Sequence, residues 1–344
     1  MTERKIVFSP ITLRAYDLKN RIIMSSPSRM RAVDGIPSSI METYYAQRAS
    51  AGLIISEPTL VSPTTSEYRC CPGIYSYDQV LAWRKVTKAV RDRGGKIFLQ
   101  LWYCEGISPL DLEQKYYDYT VNINSNPIDL LEVANKMRRG AQNALAADFD
   151  GVEINTAFGC VLDSLKPLGD YDNPEVQKSE RNRRVDLIAE IVDSVASVWD
   201  YERVGIRMCP SNIFSGNKNS DPEPPFYYVI DCLNIYNLAY VYLLEPPKIK
   251  SFLTIEYEKV SDLFRPISKD KLIVEADENP EKGIATIVNK KADLISFEKL
   301  FVANPDLPKR LEKKASLNLL DIKTIYGGGE KGYIDYPFLM SREF

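Results

Sequence analysis

The sequence predicts a single (β/α)8 barrel, the TIM barrel class, over residues 1–344, and three observations support this prediction. Short apolar runs bounded by turn-forming or polar residues recur along the chain, as expected of buried strands. Longer segments with apolar residues at helical spacing separate them, which is typical of a parallel sheet covered by helices. No low-complexity linker divides the chain, so we expect one closed barrel rather than two domains.

The apolar runs give the barrel strands in chain order. The predicted strands are Ile22 to Met24, Leu53 to Ser56, Lys96 to Leu101, Gly151 to Ile154, Val204 to Met208, Tyr240 to Leu244, Leu272 to Val274 and Leu294 to Phe297. Helices are predicted between them, for example from Asp129 to Ala147 after Pro127 and from Arg183 to Trp199. The stretches Tyr103 to Asn124 and Asn212 to Glu223 are predicted to be long loops. Loops that follow barrel strands form the active site at the C-terminal face.

Composition and charge limit the classes of partner. The chain has 44% hydrophobic and 26% charged residues, as folded globular proteins do. The net charge is −3 and the basic residues are spread along the chain, which argues against nucleic acid as a partner. No signal peptide is visible, and no apolar run approaches the ~18 residues of a membrane span. We therefore expect a cytoplasmic protein that binds neither nucleic acid nor membranes.

Cysteine and histidine usage limits the chemistry. The six cysteines lie at irregular spacings without the paired spacing of a zinc site, so they are interpreted as free thiols and no metal is expected. The chain contains no histidine, which excludes histidine-ligated metals and nucleophiles activated by histidine. Acid–base chemistry must therefore use carboxylates, Tyr, Cys, Lys or water.

A series of sequence blocks, collinear over nearly the whole chain, resembles a known enzyme family. The blocks are Phe8 to Pro10, Asn20 to Met24, Tyr44 to Gly52, Pro72 to Tyr75, Gln100 to Trp102, Phe149 to Ile154, Arg203 to Arg207, Asn304 to Arg310 and Gly332 to Phe338. In this order they resemble the Old Yellow Enzyme family of NADH:flavin oxidoreductases. The resemblance implies an eight-stranded barrel that binds FMN at its C-terminal mouth. In that family NAD(P)H reduces the flavin, which then reduces an activated alkene.

Three residues match family positions that hold the flavin ring. Ser28 falls where the family has a Thr that contacts the ring, and Gln100 falls where a Gln binds the pyrimidine edge. Arg207 matches an Arg that lies beneath the flavin. Because these residues keep their chemical type, the resemblance implies that a ring-shaped ligand can still be held.

The positions that match the phosphate-binding motifs differ from the family. Ala276-Asp277 replaces a Gly-Gly, and Glu298-Lys299 replaces a Gly-Arg. Asp277 and Glu298 would bring negative charge beside a dianion, and Lys299 keeps one positive charge without the fork of an Arg. The sequence therefore favours the absence of a cofactor over FMN. FMN remains the alternative, held by Ser28, Gln100, Arg207 and Lys299.

The catalytic block departs further from the family. The family pair of His and His/Asn, which hydrogen-bonds the substrate carbonyl, is Asn155 and Phe158 here, and the proton-donating Tyr is Cys160. Asn155 can donate a hydrogen bond, whereas Phe158 cannot. Cys160, with an ordinary thiol pKa of about 8.5, either supplies a proton or forms an apolar wall. We therefore expect no appreciable reduction of simple enones.

Other candidate residues lie in segments that should face the mouth. Trp102 is retained from the family, while the residues after it are replaced and the loop to Pro127 is shortened. Tyr103 and Glu105 are acid–base candidates, or else a packing aromatic and a solvated carboxylate. Tyr326 falls where the family has a Tyr at the substrate face, and it either donates to the substrate or packs over the barrel.

Three functions remain open from the sequence. The first is a non-reductive enzyme, such as a cyclase, isomerase or pericyclase of secondary metabolism, that acts on a small conjugated, largely apolar molecule. Such reactions need shape and orientation more than strong acids or bases. The second is an atypical FMN-dependent NAD(P)H oxidoreductase, and the third is a catalytically silent binding protein. The oligomeric state is not set by the sequence. In the first hypothesis the substrate contacts are Asn155, Tyr326, Tyr103, Arg207, Trp102, Phe158 and Cys160.

Overall fold

Parallel strands close into a barrel in the computed structural model, which describes residues 3–25, 27–63, 70–104, 129–156, 174–208, 229–244, 260–276 and 279–340. The strands are β1 (Ile11–Leu13), β2 (Tyr16–Leu18), β3 (Ile22–Ser25), β4 (Leu53–Ile55), β5 (Thr59–Leu60), β6 (Ile97–Trp102), β7 (Gly151–Asn155), β8 (Val204–Met208), β9 (Tyr240–Leu243), β10 (Leu272–Glu275) and β11 (Leu294–Phe297). The order β4-β3-β11-β10-β9-β8-β7-β6, joined by pairing of β4 with β6, closes the sheet. The predicted eight-stranded barrel is confirmed.

Side chains alternate between the two faces of each strand, and those that point into the N-terminal half of the barrel are apolar. Gly151 and Gly205 face inward and leave room for two rings, because an added Cβ would lie 2.5 Å from the Phe98 ring and 2.2 Å from the Tyr240 ring. The Phe98 and Tyr240 rings stack with their centroids 6.1 Å apart. The barrel is therefore a packed core below its mouth.

A hairpin closes the N-terminal end of the barrel. Strands β1 and β2 pair antiparallel, from Ile11 opposite Leu18 to Leu13 opposite Tyr16. Leu13 and Leu18 join the apolar cluster of the barrel interior, and the Tyr16 hydroxyl donates to the Asp150 carbonyl at 2.6 Å. This hairpin was not predicted. The hairpin therefore lies at the end of the barrel opposite the C-terminal mouth.

Helices cover the outside of the barrel. They are α1 (Ser39–Gln47), α2 (Tyr77–Arg91), α3 (Leu130–Ala146), α4 (Pro174–Trp199), α5 (Val260–Phe264), α6 (Pro280–Val288), α7 (Lys299–Ala303) and α8 (Leu307–Lys313), with 3-10 helices at Glu3–Phe8, Tyr201–Arg203 and Ile322–Thr324. Residues 229–233 are also helical. None of the helices that the structure describes has both the length and the apolar character needed to cross a bilayer.

The two helices predicted by name are found with different accuracy. Helix α3 begins after Asp129, whose carboxylate accepts hydrogen bonds from the first-turn amides, and it ends one residue before the predicted end. Helix α4 begins at Pro174 rather than at Arg183. Its first turns carry mainly polar residues, so apolar periodicity did not mark them. The predicted loop Asn212 to Glu223 and most of the predicted loop Tyr103 to Asn124 lie outside the described residues.

The C-terminal segment is fastened to the loop that follows β3. The Arg29 guanidinium donates to the Ile325 carbonyl at 2.9 Å and to the Gly332 carbonyl at 2.8 Å. Arg31 donates to the Thr324 carbonyl at 2.8 Å, and the Gly327 amide donates back to the Arg29 carbonyl at 2.9 Å. Because this loop follows the C-terminal end of a barrel strand, the segment around Tyr326 is held on the mouth side.

Candidate active site at the barrel mouth

Polar side chains line the inside of the barrel near its C-terminal mouth. Gln100 on β6 lies opposite Glu153 on β7, and Asn155 on β7 lies opposite Arg207 on β8. Because side chains alternate along a strand, residues two apart point to the same face, so all four side chains point into the barrel near its mouth; we call them the polar layer. Asn155 and Arg207 therefore lie at the same end of the barrel.

The Gln100 amide links two of these residues. Its Nε2 donates to Glu153 Oε1 at 2.8 Å, and its Oε1 accepts from Asn155 Nδ2 at 2.8 Å. Gln100 is fully buried, and Asn155 is buried beside it. Asn155, which the sequence analysis assigned to the substrate, thus donates one of its N–H groups to Gln100.

Glu153 is a carboxylate enclosed within the barrel. It is 0% exposed, and its second oxygen accepts from the Tyr240 hydroxyl at 3.0 Å. Burial raises the pKa of Glu153 to about 7, although Arg207 and the hydrogen bonds from Tyr240 and Gln100 oppose the rise. The carboxyl group therefore changes its charge near neutral pH.

Arg207 supplies the positive charge of the polar layer. Its Nη1 donates to Ser25 Oγ at 2.9 Å, and its Nη2 lies 3.4 Å from Glu298 Oε2. The guanidinium also lies over the Tyr242 ring, 4.8 Å from its centroid. Burial disfavours the charge, but Tyr242, Glu298 and Glu153 together raise the pKa of Arg207 above its ordinary value. Arg207 is therefore a permanent cation.

An apolar cluster borders the mouth on the side of β5 and β6. Trp102 packs with Leu60, Cys71 and Cys104, all of them buried. The Ser28 hydroxyl lies 3.9 Å from the Cys71 sulfur. Burial raises the pKa of the Cys71 thiol to about 12, so the thiol stays protonated. Trp102 and Ser28 thus both lie close to Cys71, a residue that the sequence analysis did not single out.

The remaining candidate residues are placed differently. Tyr103 is buried in the layer between barrel and helices, with the Lys136 ammonium 5.4 Å from its ring centroid. The structure therefore does not bring Tyr103 to the mouth, since it alternates with the inward-facing Trp102. Tyr326 is 46% exposed beside the loop after β3, and Lys299 is exposed at the start of α7. Glu105, Phe158, Cys160 and Asp277 lie outside the described residues.

Several residues next to the polar layer escaped the sequence analysis. Ser25, Tyr240 and Tyr242 all face the barrel interior and touch Arg207 or Glu153. Period-two alternation within the predicted strands was the signal that could have found them. Within the described ranges, no group of three or more Cys, Asp or Glu residues is placed to hold a metal ion.

The hydrogen-bonding groups at the barrel mouth suit the ring of FMN. A side-chain amide has two N–H donors and two acceptor lone pairs, so Gln100 keeps one of each beyond its bonds to Glu153 and Asn155. Such a pair matches the alternating donors and acceptors of a pyrimidine edge. The Arg207 guanidinium and the Ser25 and Ser28 hydroxyls add further hydrogen-bonding groups. The residues at the ring end therefore fit the group that the resemblance implies.

Comparison with known proteins identifies similar enzymes over nearly the full chain. The model of the NADH:flavin oxidoreductase / NADH oxidase family matches residues 6–318. A flavin oxidoreductase, hxnT, of Emericella nidulans is 32% identical, and the match covers 96% of this chain and 97% of that protein. The 12-oxophytodienoate reductase 1 of Oryza sativa subsp. japonica is 30% identical, with coverage of 97% and 93%.

Solved structures agree with these sequence matches. Morphinone reductase superposes with a TM-score of 0.82 at 33% identity, covering 97% of this chain and 96% of that chain. The old yellow enzyme of Trypanosoma cruzi superposes with a TM-score of 0.83 at 29% identity, covering 97% and 98%. The predicted family resemblance is confirmed.

The expectation that the chain works without a cofactor in preference to FMN is wrong. The flavin-oxidoreductase match over residues 6–318, together with the similar flavin enzymes, indicates FMN. The charge argument treated Glu298 as an isolated carboxylate at the phosphate end, whereas its Oε2 lies 3.4 Å from Arg207 Nη2. Pairing with a cation reduces the repulsion that a lone carboxylate exerts on an anion.

Proposed function

The chain belongs to the NADH:flavin oxidoreductase / NADH oxidase family, and on that premise we propose that it is an FMN-dependent NAD(P)H oxidoreductase that reduces a small molecule. The observation that carries the proposal is the layer of Gln100, Asn155 and Arg207, which keeps hydrogen-bond donors and a cation at the barrel mouth. The similar proteins include enzymes named as reductases of morphinone and of 12-oxophytodienoate, which supports a reductive reaction.

Ser28, Gln100 and Arg207 would hold the ring of FMN, and Lys299 would lie near its phosphate. Hydride transfer between a nicotinamide and a carbon–carbon double bond is the chemistry that FMN supplies when bound. The permanent positive charge of Arg207 stabilises negative charge that develops near it. Trp102 and its apolar neighbours exclude water from one side of the mouth.

The substrate is proposed to be an alkene that is strongly activated by its own substituents. Phe158 cannot donate a hydrogen bond to a substrate carbonyl, and one N–H of Asn155 is bound to Gln100. A nitroalkene needs less help from protein donors than a simple enone does, because its withdrawing group is stronger. Tyr326, exposed at the mouth side, and Cys160 are the candidates for the proton that completes reduction.

A non-reductive reaction remains the second candidate function. Two observations favour it: Asn155 donates into the barrel to Gln100, and the sequence has Phe158 and Cys160 where the family places polar donors. The names of the similar proteins favour the reductase instead, since those given above are reductases or oxidoreductases.

The absorption spectrum of the purified protein tests the proposed function first. We expect a flavin band near 450 nm, at roughly one FMN per chain after incubation with FMN and removal of the excess, and bleaching of that band by NADH or NADPH without oxygen. A protein that retains no FMN, or whose bound FMN neither nicotinamide reduces, would refute the oxidoreductase and favour the second candidate.

A further inference from the structure

A chain of hydrogen bonds runs through the barrel interior and ends at the mouth. Tyr240 donates to Glu153, Gln100 donates to Glu153, and Asn155 donates to Gln100, over distances of 3.0, 2.8 and 2.8 Å. We propose that Glu153 is a positioning residue whose carboxylate fixes the orientation of the Gln100 amide and, through it, of the Asn155 amide. The role of Glu153 is inferred from these hydrogen bonds, and only the identification of the ligand at the mouth as a flavin rests on the proposed function.

The order of donors and acceptors along these hydrogen bonds follows from the carboxylate of Glu153, at which they end. An ionised carboxylate only accepts hydrogen bonds, so Gln100 must present its Nε2 to Glu153. The Gln100 Oε1 then points to Asn155, which must in turn present its Nδ2. Reversal of the Gln100 amide would set two acceptor oxygens against each other at hydrogen-bond distance. One negative charge therefore sets the polarity of both amides.

Among the residues that the structure describes, the side chains of Tyr240 and Gln100 donate to the Glu153 carboxylate. Glu153 is 0% exposed, so bulk water does not reach it. Its Oε2 is taken by Tyr240, and the inward-facing position opposite it on β8 is Gly205, which has no side chain. A buried carboxylate that lost the Gln100 donor would be left partly unsatisfied, which is costly.

Protonation of Glu153 removes the constraint. A neutral carboxyl group donates as well as accepts, so either orientation of Gln100 can then be satisfied. Burial raises the pKa of Glu153 to about 7, with Arg207 on β8 and the hydrogen bonds from Tyr240 and Gln100 opposing the rise. The charges of Tyr242 on β9, Glu275 on β10 and Glu298 also act on this guanidinium. The amides are therefore fixed above about pH 7 and free to reverse below it.

The consequence is a pH-dependent affinity for the flavin ring. A pyrimidine edge has a fixed order of donors and acceptors, and it pairs best with an amide of fixed orientation. We expect riboflavin, which has the ring without the phosphate, to bind about two- to tenfold more tightly above about pH 7 than below it, the range for one hydrogen bond. Riboflavin is the better probe because a phosphate monoester titrates near pH 6.

Quenching of riboflavin fluorescence by the full-length protein, measured from about pH 5.5 to about pH 8.5, tests the inference. Glu153→Gln should abolish the pH dependence, because an amide does not titrate in this range. Glu275→Gln is the matched control, since it removes a carboxylate whose charge acts on Arg207 but which lies outside the chain of hydrogen bonds, and it should keep the dependence. A flat profile for the unaltered protein would overturn the inference. An unchanged profile in Glu153→Gln, or loss of the pH dependence in Glu275→Gln, would also overturn it.

If Glu153→Gln does not fold, a second variant tests the same role of Glu153. Tyr240→Phe removes a hydrogen bond that lowers the pKa of Glu153, so the midpoint of the riboflavin profile should rise by about one pH unit. A midpoint that stays or falls would contradict the role of Glu153. Because no reduction is measured, a protein whose bound FMN is not reduced by NADH or NADPH would leave these outcomes unaffected. A flat riboflavin profile would in turn leave the proposed reduction untouched.

Discussion

Arg207 and Glu298 form an ion pair across the barrel mouth, with Nη2 and Oε2 3.4 Å apart. The pair joins the end of β8 to the residue that precedes α7, where the family has a glycine. It partly neutralises a carboxylate that the sequence alone presents as a barrier to FMN phosphate. The pair also occupies one side of the guanidinium that we assign to the flavin ring.

Removal of the Glu298 charge should tighten FMN binding. Glu298→Gln removes a negative charge near the phosphate, so the dissociation constant for FMN should fall about two- to fivefold. The affinity for riboflavin at fixed pH should change little, because riboflavin has no phosphate. Isothermal titration with both ligands measures the difference, and equal effects on the two would refute the assignment of Glu298 to the phosphate end.

Loss of the Arg207 charge should affect both binding and folding. Arg207→Met removes the cation that faces Glu298 and Glu153, so the free energy of unfolding should fall by about 3 to 5 kcal/mol. Affinity for riboflavin should fall at least about tenfold. Arg207→Lys is the control: it should recover much of the stability but little of the affinity, because an ammonium lacks the planar fork. Urea unfolding and fluorescence titration provide the two readouts.

Tyr326→Phe tests the proton donor. Since Tyr326 is exposed, its loss should not disturb the fold, and the FMN dissociation constant should stay unchanged. If the phenol supplies the proton, kcat should fall about a hundredfold for an alkene substrate. An unchanged kcat would eliminate Tyr326, and the same measurement on Cys160→Ala would then decide whether the thiol has this role.

Arg31 should hold the C-terminal segment in place. Its guanidinium is buried, donates to the Thr324 carbonyl at 2.8 Å and lies 4.3 Å from the centroid of the Tyr333 ring. Arg31→Gln should lower the free energy of unfolding by about 2 to 4 kcal/mol and expose the chain around Tyr326 to proteases. Arg31→Lys, which keeps the charge, should lose less. Equal proteolysis of wild type and Arg31→Gln would contradict this role.

The buried Glu153 should make stability depend on pH. Its pKa is about 7 in the folded state, above the value of about 4.3 in an unfolded chain. Between these two values the folded state binds more protons, so the contribution of Glu153 to stability falls as pH rises and is lowest above about pH 7. Relative to Glu153→Gln, the wild type should therefore lose about 3 kcal/mol between about pH 4 and about pH 8. Urea unfolding at both values measures this, and a constant difference would refute it.

The barrel was predictable because its strands are buried on both faces. Parallel strands covered by helices have continuous apolar runs, and such runs stand out in the sequence. The short strands Ile11–Leu13 and Tyr16–Leu18 lack this signal, since they cover only one end of the barrel and one face of each is exposed. The start of α4 at Pro174 was missed for a similar reason, because its first turns are polar.

The contacts within the site were less predictable than the positions of its residues. Alternation from Trp102 could have shown that Tyr103 faces the helices, since adjacent strand residues point to opposite faces. The pairing of Arg207 with Glu298 depends instead on barrel closure and side-chain conformation, and no local pattern carries that information. The charge argument against FMN could not include this contact.

Anaerobic reoxidation of the NAD(P)H-reduced, FMN-loaded protein tests the central proposal most directly. We expect 1-nitrocyclohexene to restore the flavin band and to yield the saturated nitro product. Cyclohexenone should react on the order of a hundred- to a thousandfold more slowly, because the sequence has Phe158 where the family has a donor to the substrate carbonyl. A reduced flavin that neither alkene reoxidises would contradict an alkene reductase, and equal rates with the two would contradict the proposed substrate class.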